Sequence, residues 1–392
     1  MAGSLSRWLR PRSKAASFEA PELKLKLKRE RPSIPSARTA VLAHQFDRQQ
    51  PLISNTHKKL NLLIATVLTV GGLASAAQAQ SQAPASIPTP TPTSKLQIYG
   101  YFDLGLVKET GGAARLDRGQ NNWLGFKGSE TLDNDLSAVF NLQMRFNPDT
   151  GTQEKSTRVF QGETTIGLVS KSLGSVRLGR ALTPLWGQKW VFDPWYDSGL
   201  MGSMASYNGD FNSDGLPTAD FNNYSRASNA VYYSSPNIAG FELHVEAEIE
   251  RAVGDDAAAT VAKARSKGAS LNYANGPFKA MLAHEENHLA DKISYVASSY
   301  QLGALNLMGS YSHTDRSGSA QKLRSMLVAA TYAVGADTVR AGYGRIQETG
   351  HHKVSLGYNH PLSKRTNIYA DVYREQLITA RNGMALGINH SF

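Results

Sequence analysis

Residues 96–104 read Leu-Gln-Ile-Tyr-Gly-Tyr-Phe-Asp-Leu, and their side chains alternate between apolar and polar with a period of two. Successive side chains of an extended strand point to opposite faces, so this pattern predicts a two-faced β-strand. The same alternation recurs at 139–146 and 368–373. The apolar and polar sets of the first segment are Leu96, Ile98, Phe102 and Leu104 against Gln97, Tyr99, Tyr101 and Asp103.

Turn signals divide the chain into strand-length pieces. The short signals lie at 131–135, 172–174, 235–237, 274–277 and 361–364, and they alternate with longer polar stretches such as 147–157, 251–265 and 313–321. Short turns at one end and long loops at the other are typical of outer-membrane barrels. With strands of ~9–11 residues, we predict an all-β fold: a transmembrane antiparallel β-barrel of about 16 strands over residues 95–392.

The polarity of the second face favours a barrel over a soluble sandwich. That face is rich in Gln, Asn, Arg, Asp and Tyr, whereas a sandwich would bury apolar side chains there. A closed barrel leaves no strand edge unpaired in lipid. The composition excludes a disulfide scaffold and thiolate metal sites, because the chain has no cysteine. It also excludes a polytopic helical membrane protein, since only one stretch is long and uncharged.

That uncharged stretch belongs to an N-terminal leader. Lys58 and Lys59 precede an uncharged, mostly apolar segment at 60–76, and Ala77-Gln78-Ala79 matches a signal-peptidase site. We therefore interpret 58–79 as a secretory signal peptide and predict that the mature chain starts at Gln80. A membrane anchor is the alternative, but the apolar core is short for a span of about 20 residues.

The segments on either side of the signal peptide lack a periodic pattern. Residues 1–57 are basic and are best explained as a non-structural extension from a start site placed too far upstream. Residues 80–94 contain four prolines and are predicted to be an extended linker. Residues 1–59 carry 13 Lys+Arg and 4 Asp+Glu, so they hold +9 of the net +10 charge. The net positive charge therefore lies almost entirely in the leader and does not indicate nucleic-acid binding by the mature chain.

Two metal-like motifs do not predict metal sites. His284-Glu285-Glu286-Asn287-His288 matches a zinc-protease pattern that requires a helix, but it lies in strand-like sequence, where the two histidines would be about 13 Å apart. Residues 210–215 resemble half of a calcium loop, but Phe221 stands where the bidentate glutamate belongs. We expect no metal, no cofactor and no catalytic residues, so the chain is not expected to be an enzyme.

Several segments together resemble the general porins of Gram-negative bacteria, the trimeric proteobacterial type. The most specific are 173–184, which reads Leu-Gly-Ser-Val-Arg-Leu-Gly-Arg-Ala-Leu-Thr-Pro, and 229–241. Segments 98–106, 123–132, 356–366 and 387–392 add moderate support. The resemblance implies an outer-membrane pore for passive diffusion of small hydrophilic solutes and ions. It further implies a homotrimer surrounded by outer-membrane lipid and lipopolysaccharide, with Phe392 as a signal to the barrel-assembly machinery.

The resemblance also implies a third loop, at about 185–227, that folds into the barrel. Acidic residues of this loop would form the pore constriction: Asp193, Asp197, Asp210, Asp214 and Asp220. Strand parity places the opposing wall residues, which are Trp123, Lys127, Arg145, Glu163 and Arg177, and Arg226 matches a basic position of the family. Solvated rim charges are the alternative interpretation of these wall residues.

Two departures from the family pattern bear on ion selectivity. Members with a strong preference for anions often carry Arg where this chain has Trp123, and again within the segment that here contains Gln161. An inward-facing acid, Glu163, adds negative charge. Because the chain after residue 59 carries 29 Lys+Arg and 28 Asp+Glu, we predict weak ion selectivity. A substrate-specific channel remains an alternative, and an adhesin or receptor barrel is a more distant one.

Overall fold

The computed structural model describes residues 94–155, 158–196, 201–209, 225–249, 264–318 and 322–392. The predicted extension 1–57, the signal peptide 58–79 and the linker up to Thr93 lie outside the described residues. Four of the predicted constriction acids also lie outside them: Asp197, Asp210, Asp214 and Asp220.

The described chain is almost entirely β-strand. The first nine strands are β1 (Ser94–Glu109), β2 (Arg115–Asp117), β3 (Asn122–Thr131), β4 (Leu136–Phe146), β5 (Glu163–Ser170), β6 (Gly174–Leu182), β7 (Arg226–Ser234), β8 (Phe241–Glu248) and β9 (Lys267–Asn275). The others are β10 (Phe278–Glu286), β11 (Lys292–Leu302), β12 (Leu305–Asp315), β13 (Lys322–Val334), β14 (Asp337–Ile346), β15 (His352–Pro361), β16 (Thr366–Gln376) and β17 (Ala380–Ser391). Between β6 and β7 lie helix α1 (Pro184–Gln188) and two 3-10 helices, Lys189–Phe192 and Ala205–Tyr207.

The sheet closes on itself. Each strand pairs antiparallel with its neighbour in sequence, and β1 pairs with both β3 and β17. The closing register runs from Tyr101 opposite Ser391 to Glu109 opposite Gly383. The three-residue β2 pairs only with the end of β1 and does not form part of the closed wall. The other sixteen strands form the wall, as the sequence predicts. Among the described residues, no helix is long and apolar enough to cross a membrane.

The two faces of the wall differ in the way that the period-two pattern predicts. Leu96 and Ile98 are 71% and 59% exposed on the outer face, whereas Asp103 on the opposite face is 1% exposed. Leu386 on β17 is likewise exposed on the outer face, at 63%. An outward apolar band around a polar interior is the pattern of a barrel that lipid surrounds.

Turn lengths distinguish the two ends of the barrel. At one end, here called the short-turn end, β9 passes to β10 through Gly276 and Pro277, with Gly276 at φ +55°. Glycine adopts this left-handed conformation without a steric penalty. At the other, long-loop end, the β6–β7 connection runs from residue 183 to residue 225.

Glycines on the polar face make room for that long connection. A Cβ at Gly344 would lie 2.4 Å from the Tyr207 side chain, and a Cβ at Gly342 would crowd Trp195 and Met204. Trp195 and Met204 join a buried cluster with wall residues of β12 and β13, namely Met308, Leu327 and Ala329. Trp195, Met204 and Tyr207 of the connection therefore pack closely on the polar face of β12–β14.

Candidate functional site

The β6–β7 segment forms hydrogen bonds with strands far from those that carry it. The Trp195 indole Nε1–H donates to Asp371 Oδ1 on β16 at 2.9 Å, and the Tyr207 hydroxyl donates to Glu375 Oε1 at 2.9 Å. Lys353 Nζ on β15 donates to the Ser203 carbonyl at 2.8 Å. The segment leaves the wall at β6, so these bonds reach strands nine and ten positions further along the chain. They support the predicted inward-folded loop.

Further contacts tie the segment to the intervening wall. The Leu185 backbone N–H donates to Glu285 Oε1 on β10 at 2.6 Å. Asn208 Oδ1 accepts hydrogen bonds from the Tyr295 hydroxyl at 2.7 Å and from the Ser310 hydroxyl at 2.6 Å. Side chains of five different wall strands thus bind the described loop residues on both sides of positions 197–200.

Lys189 is enclosed by the loop itself. Its ammonium lies 3.4 Å from the centroid of the Trp186 ring and 5.3 Å from that of Trp190. It also donates to the Gly209 carbonyl at 3.0 Å and is fully buried. A cation held over aromatic faces in a desolvated place stabilises the local fold, so the loop has internal support as well as wall contacts.

Asp193 does not face solute as the sequence led us to expect. It is 2% exposed, and its carboxylate accepts hydrogen bonds from the backbone N–H groups of Trp195, at 2.9 Å, and Met204, at 3.2 Å. Burial raises the pKa of Asp193 to about 7, despite these two hydrogen bonds and the nearby charges of Lys189 and Lys353. Asp193 therefore organises the loop instead of lining the lumen.

A recess of about 360 Å³ lies between the loop and the wall of strands β3–β7. Four of the predicted wall residues line it: Trp123, Arg145, Glu163 and Arg226. Trp190 and Tyr196 face it from the loop, and Gln120, Gln143, Gly162 and Leu182 complete the lining. Strand parity assigned the inward face to three of them, Trp123, Arg145 and Glu163, which come from three different strands.

The other two predicted wall residues, Lys127 and Arg177, do not line this recess. Lys127 Nζ is 4.9 Å from the centroid of the Tyr99 ring, and Tyr99 belongs to the polar face. Arg177 Nη1 donates to Glu163 Oε1 at 2.6 Å. Both side chains thus take the inward orientation that parity assigns to them.

Glu163 is held by three donors. In addition to Arg177, the Thr165 hydroxyl donates to Oε1 at 2.7 Å and the Asn141 amide donates to Oε2 at 2.8 Å. Its side chain is 18% exposed, against 32% for Arg177. The acid is therefore part of a partly desolvated ion pair, and its charge is compensated at contact distance.

One acid beside the recess was not predicted. Glu154 forms an ion pair with Arg118 and accepts a hydrogen bond from the Gln161 amide at 2.9 Å. Burial by itself would raise the pKa of Glu154. The positive charges of Arg145 and Arg118 have the larger combined effect, so the pKa of Glu154 is lowered. Glu154 lies in an irregular loop where parity assigns no face, so the sequence carried no signal for it.

The chain terminus completes the wall. The Phe392 carbonyl accepts from the Gly100 N–H at 3.0 Å, and the Phe392 N–H donates to the Gly100 carbonyl at 3.2 Å. Its ring lies over Gly100, where any Cβ would be 2.3 Å from the ring. Phe392 thus continues the β1–β17 pairing with its side chain 45% exposed.

The zinc-like motif is divided between two environments. His284 lies on the outer face of β10 and bonds to Ser294, whereas His288 lies beyond the end of the strand. Over the described ranges, no group of three or more His, Asp or Glu side chains is arranged to hold a metal ion. The calcium-like residues 210–215 lie outside those ranges.

These features define a class of protein: a closed, lipid-facing β-barrel with a polar interior. Comparisons with known proteins agree with it. The family of Gram-negative porins matches residues 65–377. Outer membrane porin protein 32 of Delftia acidovorans is 28% identical over 302 residues, which cover 71% of this chain and 83% of the relative. An outer membrane porin of Bordetella pertussis is 26% identical over 302 residues, which cover 63% of this chain and 74% of the relative.

Solved structures show the same fold. An anion-selective porin from Comamonas acidovorans superposes with a TM-score of 0.63 at 24% identity, covering 76% of this chain and all of that one. OmpF of Salmonella typhi, in complex with daunomycin, gives a TM-score of 0.56 at 17% identity, with 76% and 98% covered. The chain belongs to the Gram-negative porin family. It is a pore-forming channel of the outer membrane, and its family and fold indicate a channel rather than an enzyme.

Proposed function

We propose that the chain assembles as a homotrimer through which small hydrophilic solutes and ions diffuse passively, and that the narrowest part of each pore lies beside loop residues 184–196 and 201–209. One observation carries the proposal. The 360 Å³ recess brings Trp190 and Tyr196 of the loop opposite Trp123, Arg145 and Glu163 of the wall. A loop that occupies part of a lumen sets the size limit for solutes, and the charges around the gap bias which ions pass.

The expected partners follow from the family and the outer face. One of the solved relatives, OmpT of Vibrio cholerae, is described in a trimer form. Exposed outward side chains such as Leu386 and Ile98 require contact with lipid, lipopolysaccharide or neighbouring subunits. We further propose that Phe392 is the residue through which the barrel-assembly machinery recognises the chain.

We propose that ion selectivity is weak. Glu163 pairs with Arg177, Glu154 with Arg118, and Asp371 with Arg340 at 3.0 Å, so these opposite charges meet at contact distance. The Comamonas relative is described as anion-selective. The present chain carries Trp123 where strongly anion-preferring porins often carry arginine, and its segment Phe160-Gln161-Gly162-Glu163 lacks the arginine that those porins often have there. Both differences favour a smaller preference here.

Planar-bilayer recording tests the proposed narrowing. The Gly344→Val substitution places new carbon atoms where Tyr207 packs, at 2.4 Å from its side chain. The loop should then move off the wall, and the single-channel conductance should change measurably. The matched control is Gly309→Val, because the nearest atom to a Cβ at Gly309 is 3.7 Å away.

Three outcomes would contradict parts of the proposal. If the purified trimer gives no stepwise conductance in the bilayer, the proposed passive diffusion through the pore is contradicted. Equal conductance in Gly344→Val and the unchanged protein, with correct folding of both, would place the narrowest part elsewhere. Conductance that saturates for a single solute class would favour the substrate-specific alternative.

A further inference from the structure

A second recess lies on the short-turn side of the loop. It is bounded by Pro194, Trp195 and Tyr196 of the loop and by lumenal residues of β1 and β13–β17. Its volume is about 510 Å³. Pockets that hold small molecules typically have ~300–1,000 Å³, so the space suits a compact solute. It shares Gln120 and Tyr196 with the narrow recess and is otherwise separate from it.

The formal charges that line this recess cancel. Two arginines and two aspartates contribute, so the described lining sums to 2 − 2 = 0. Arg340 Nη2 donates to both Asp371 oxygens at 3.0 Å, and Asp103 accepts from the Tyr369 hydroxyl at 2.7 Å. Arg365 is the fourth charged residue, and it lies at the edge of the β15–β16 turn. The lining therefore offers hydrogen bonds without a net formal charge that would attract ions of one sign.

A row of three amides provides those hydrogen bonds. The Asn367 amide donates to Asn389 Oδ1 at 2.9 Å, and the Asn359 amide donates to Asn367 Oδ1 at 3.4 Å. Each side-chain amide has two N–H donors and a carbonyl with two acceptor positions. The row thus keeps a donor group at Asn389 and an acceptor at Asn359 available to a solute. Adjacent hydroxyl groups of a solute can both donate and accept hydrogen bonds, so they could bind to the free ends of this row.

An aromatic ring borders the recess from the loop. Tyr196 is 58% exposed and has φ +55°, a conformation that is strained for a residue with a Cβ. Its backbone N–H donates to the Asp193 carbonyl at 2.9 Å, which holds the turn in place. Because the ring borders both recesses, a solute that leaves the narrow part passes its face. Rings with an apolar body and a polar edge suit ligands that are apolar on one face and hydroxylated at the rim.

We propose that this recess is a weak binding site for neutral polyhydroxylated solutes of mono- or disaccharide size. The amide row would bind the hydroxyls, and Tyr196 would contact the ring face. The proposal rests on the proposed function, because the site is reached only through a water-filled pore.

Sugar titration on single channels tests the proposal. Maltose is added to the purified trimer in a bilayer, and the half-saturating concentration is read from the decrease in potassium chloride current. Asn367→Leu should raise that concentration at least fivefold while the sugar-free channel still opens. Tyr196→Ala should also raise it at least fivefold, with each current divided by that variant's own sugar-free current, because Tyr196 also borders the narrow recess. The control for the amide is Asn272→Leu, a lumenal asparagine of β9 outside the recess, and the control for the ring is Tyr300→Ala on the outer face.

Each result separates the two proposals. Normal conductance with no effect of maltose, or an equal effect in all variants, overturns the sugar site and leaves the channel intact. A channel that never opens overturns the channel function itself. Gluconate, which has a similar size and a negative charge, should bind no more tightly than glucose. A tenfold preference for gluconate that disappears in Arg365→Gln would assign the recess to anions and contradict the proposal.

Discussion

Removing the charge of Glu163 should move ion selectivity towards anions. Glu163 lines the narrow recess and compensates Arg177 at 2.6 Å. Glu163→Gln retains the size and shape of the side chain and one accepting oxygen, replaces the other oxygen with an NH2 donor, and leaves Arg177 with no counter-charge at that position. The perturbation is therefore one added positive unit at a known place in the lumen.

The size of the effect follows from Coulomb's law. An ion that passes ~8 Å from the altered charge interacts with it by about 0.5 kcal/mol in water. A salt concentration of 0.1 M has a Debye length of about 10 Å, which roughly halves that energy. Because cations and anions shift in opposite directions, the anion-to-cation permeability ratio should rise about two- to sixfold.

The assay is the reversal potential in a potassium chloride gradient. Glu163→Arg adds a further positive unit and should move the potential further in the same direction. Glu130→Gln is the control: it makes the same change in net charge at the exposed, short-turn end of β3, away from the recess. A reversal potential that does not change in Glu163→Gln, with the control also unchanged, would refute the placement of Glu163 at the narrowest part.

Three further predictions concern processing, assembly and pH. N-terminal sequencing of outer-membrane material should give a chain that starts at Gln80, and a chain that starts at Met1 would contradict the leader assignment. In mild detergent without heating, the protein should migrate as a trimer and convert to monomer on boiling; monomer without heating would argue against assembly. Asp193 has a pKa raised by burial to about 7, so the packed loop binds its proton more tightly than a released loop does. That stabilisation is complete below about pH 4 and is lost as pH rises through 7, so loop-related current fluctuations should become more frequent over this range and Asp193→Asn should abolish the trend. A flat pH profile in the unchanged protein would contradict this role.

The wall was predictable from the sequence because alternate residues of each strand face lipid and water, so apolar and polar side chains alternate along the strand. Leu96 and Ile98 point outward and Asp103 points inward, as the period of two requires. The same parity placed Trp123, Arg145 and Glu163 on one side of the wall. The closed topology then brought them to one recess, although they belong to three different strands.

The loop was not predictable in the same way. Its path depends on contacts such as Trp195 with Asp371, which are 176 residues apart and follow no local period. Asp193 was expected at the pore constriction because the family resemblance implies that acids of this loop face the wall, but its carboxylate instead accepts hydrogen bonds from the backbone N–H groups of Trp195 and Met204. Glu154 was missed for a related reason, since its partner Arg118 is 36 residues away in another irregular segment.

The central claim is that the polar face encloses a water-filled pore and that loop residues 184–196 and 201–209 narrow it. The chain has no cysteine, so an introduced thiol would be unique. A charged, thiol-reactive methanethiosulfonate reagent should reduce the current through Tyr196→Cys, because Tyr196 borders the narrow recess, and should leave Leu386→Cys unaffected, because Leu386 faces outward. Block of Leu386→Cys with no effect on Tyr196→Cys would contradict the account.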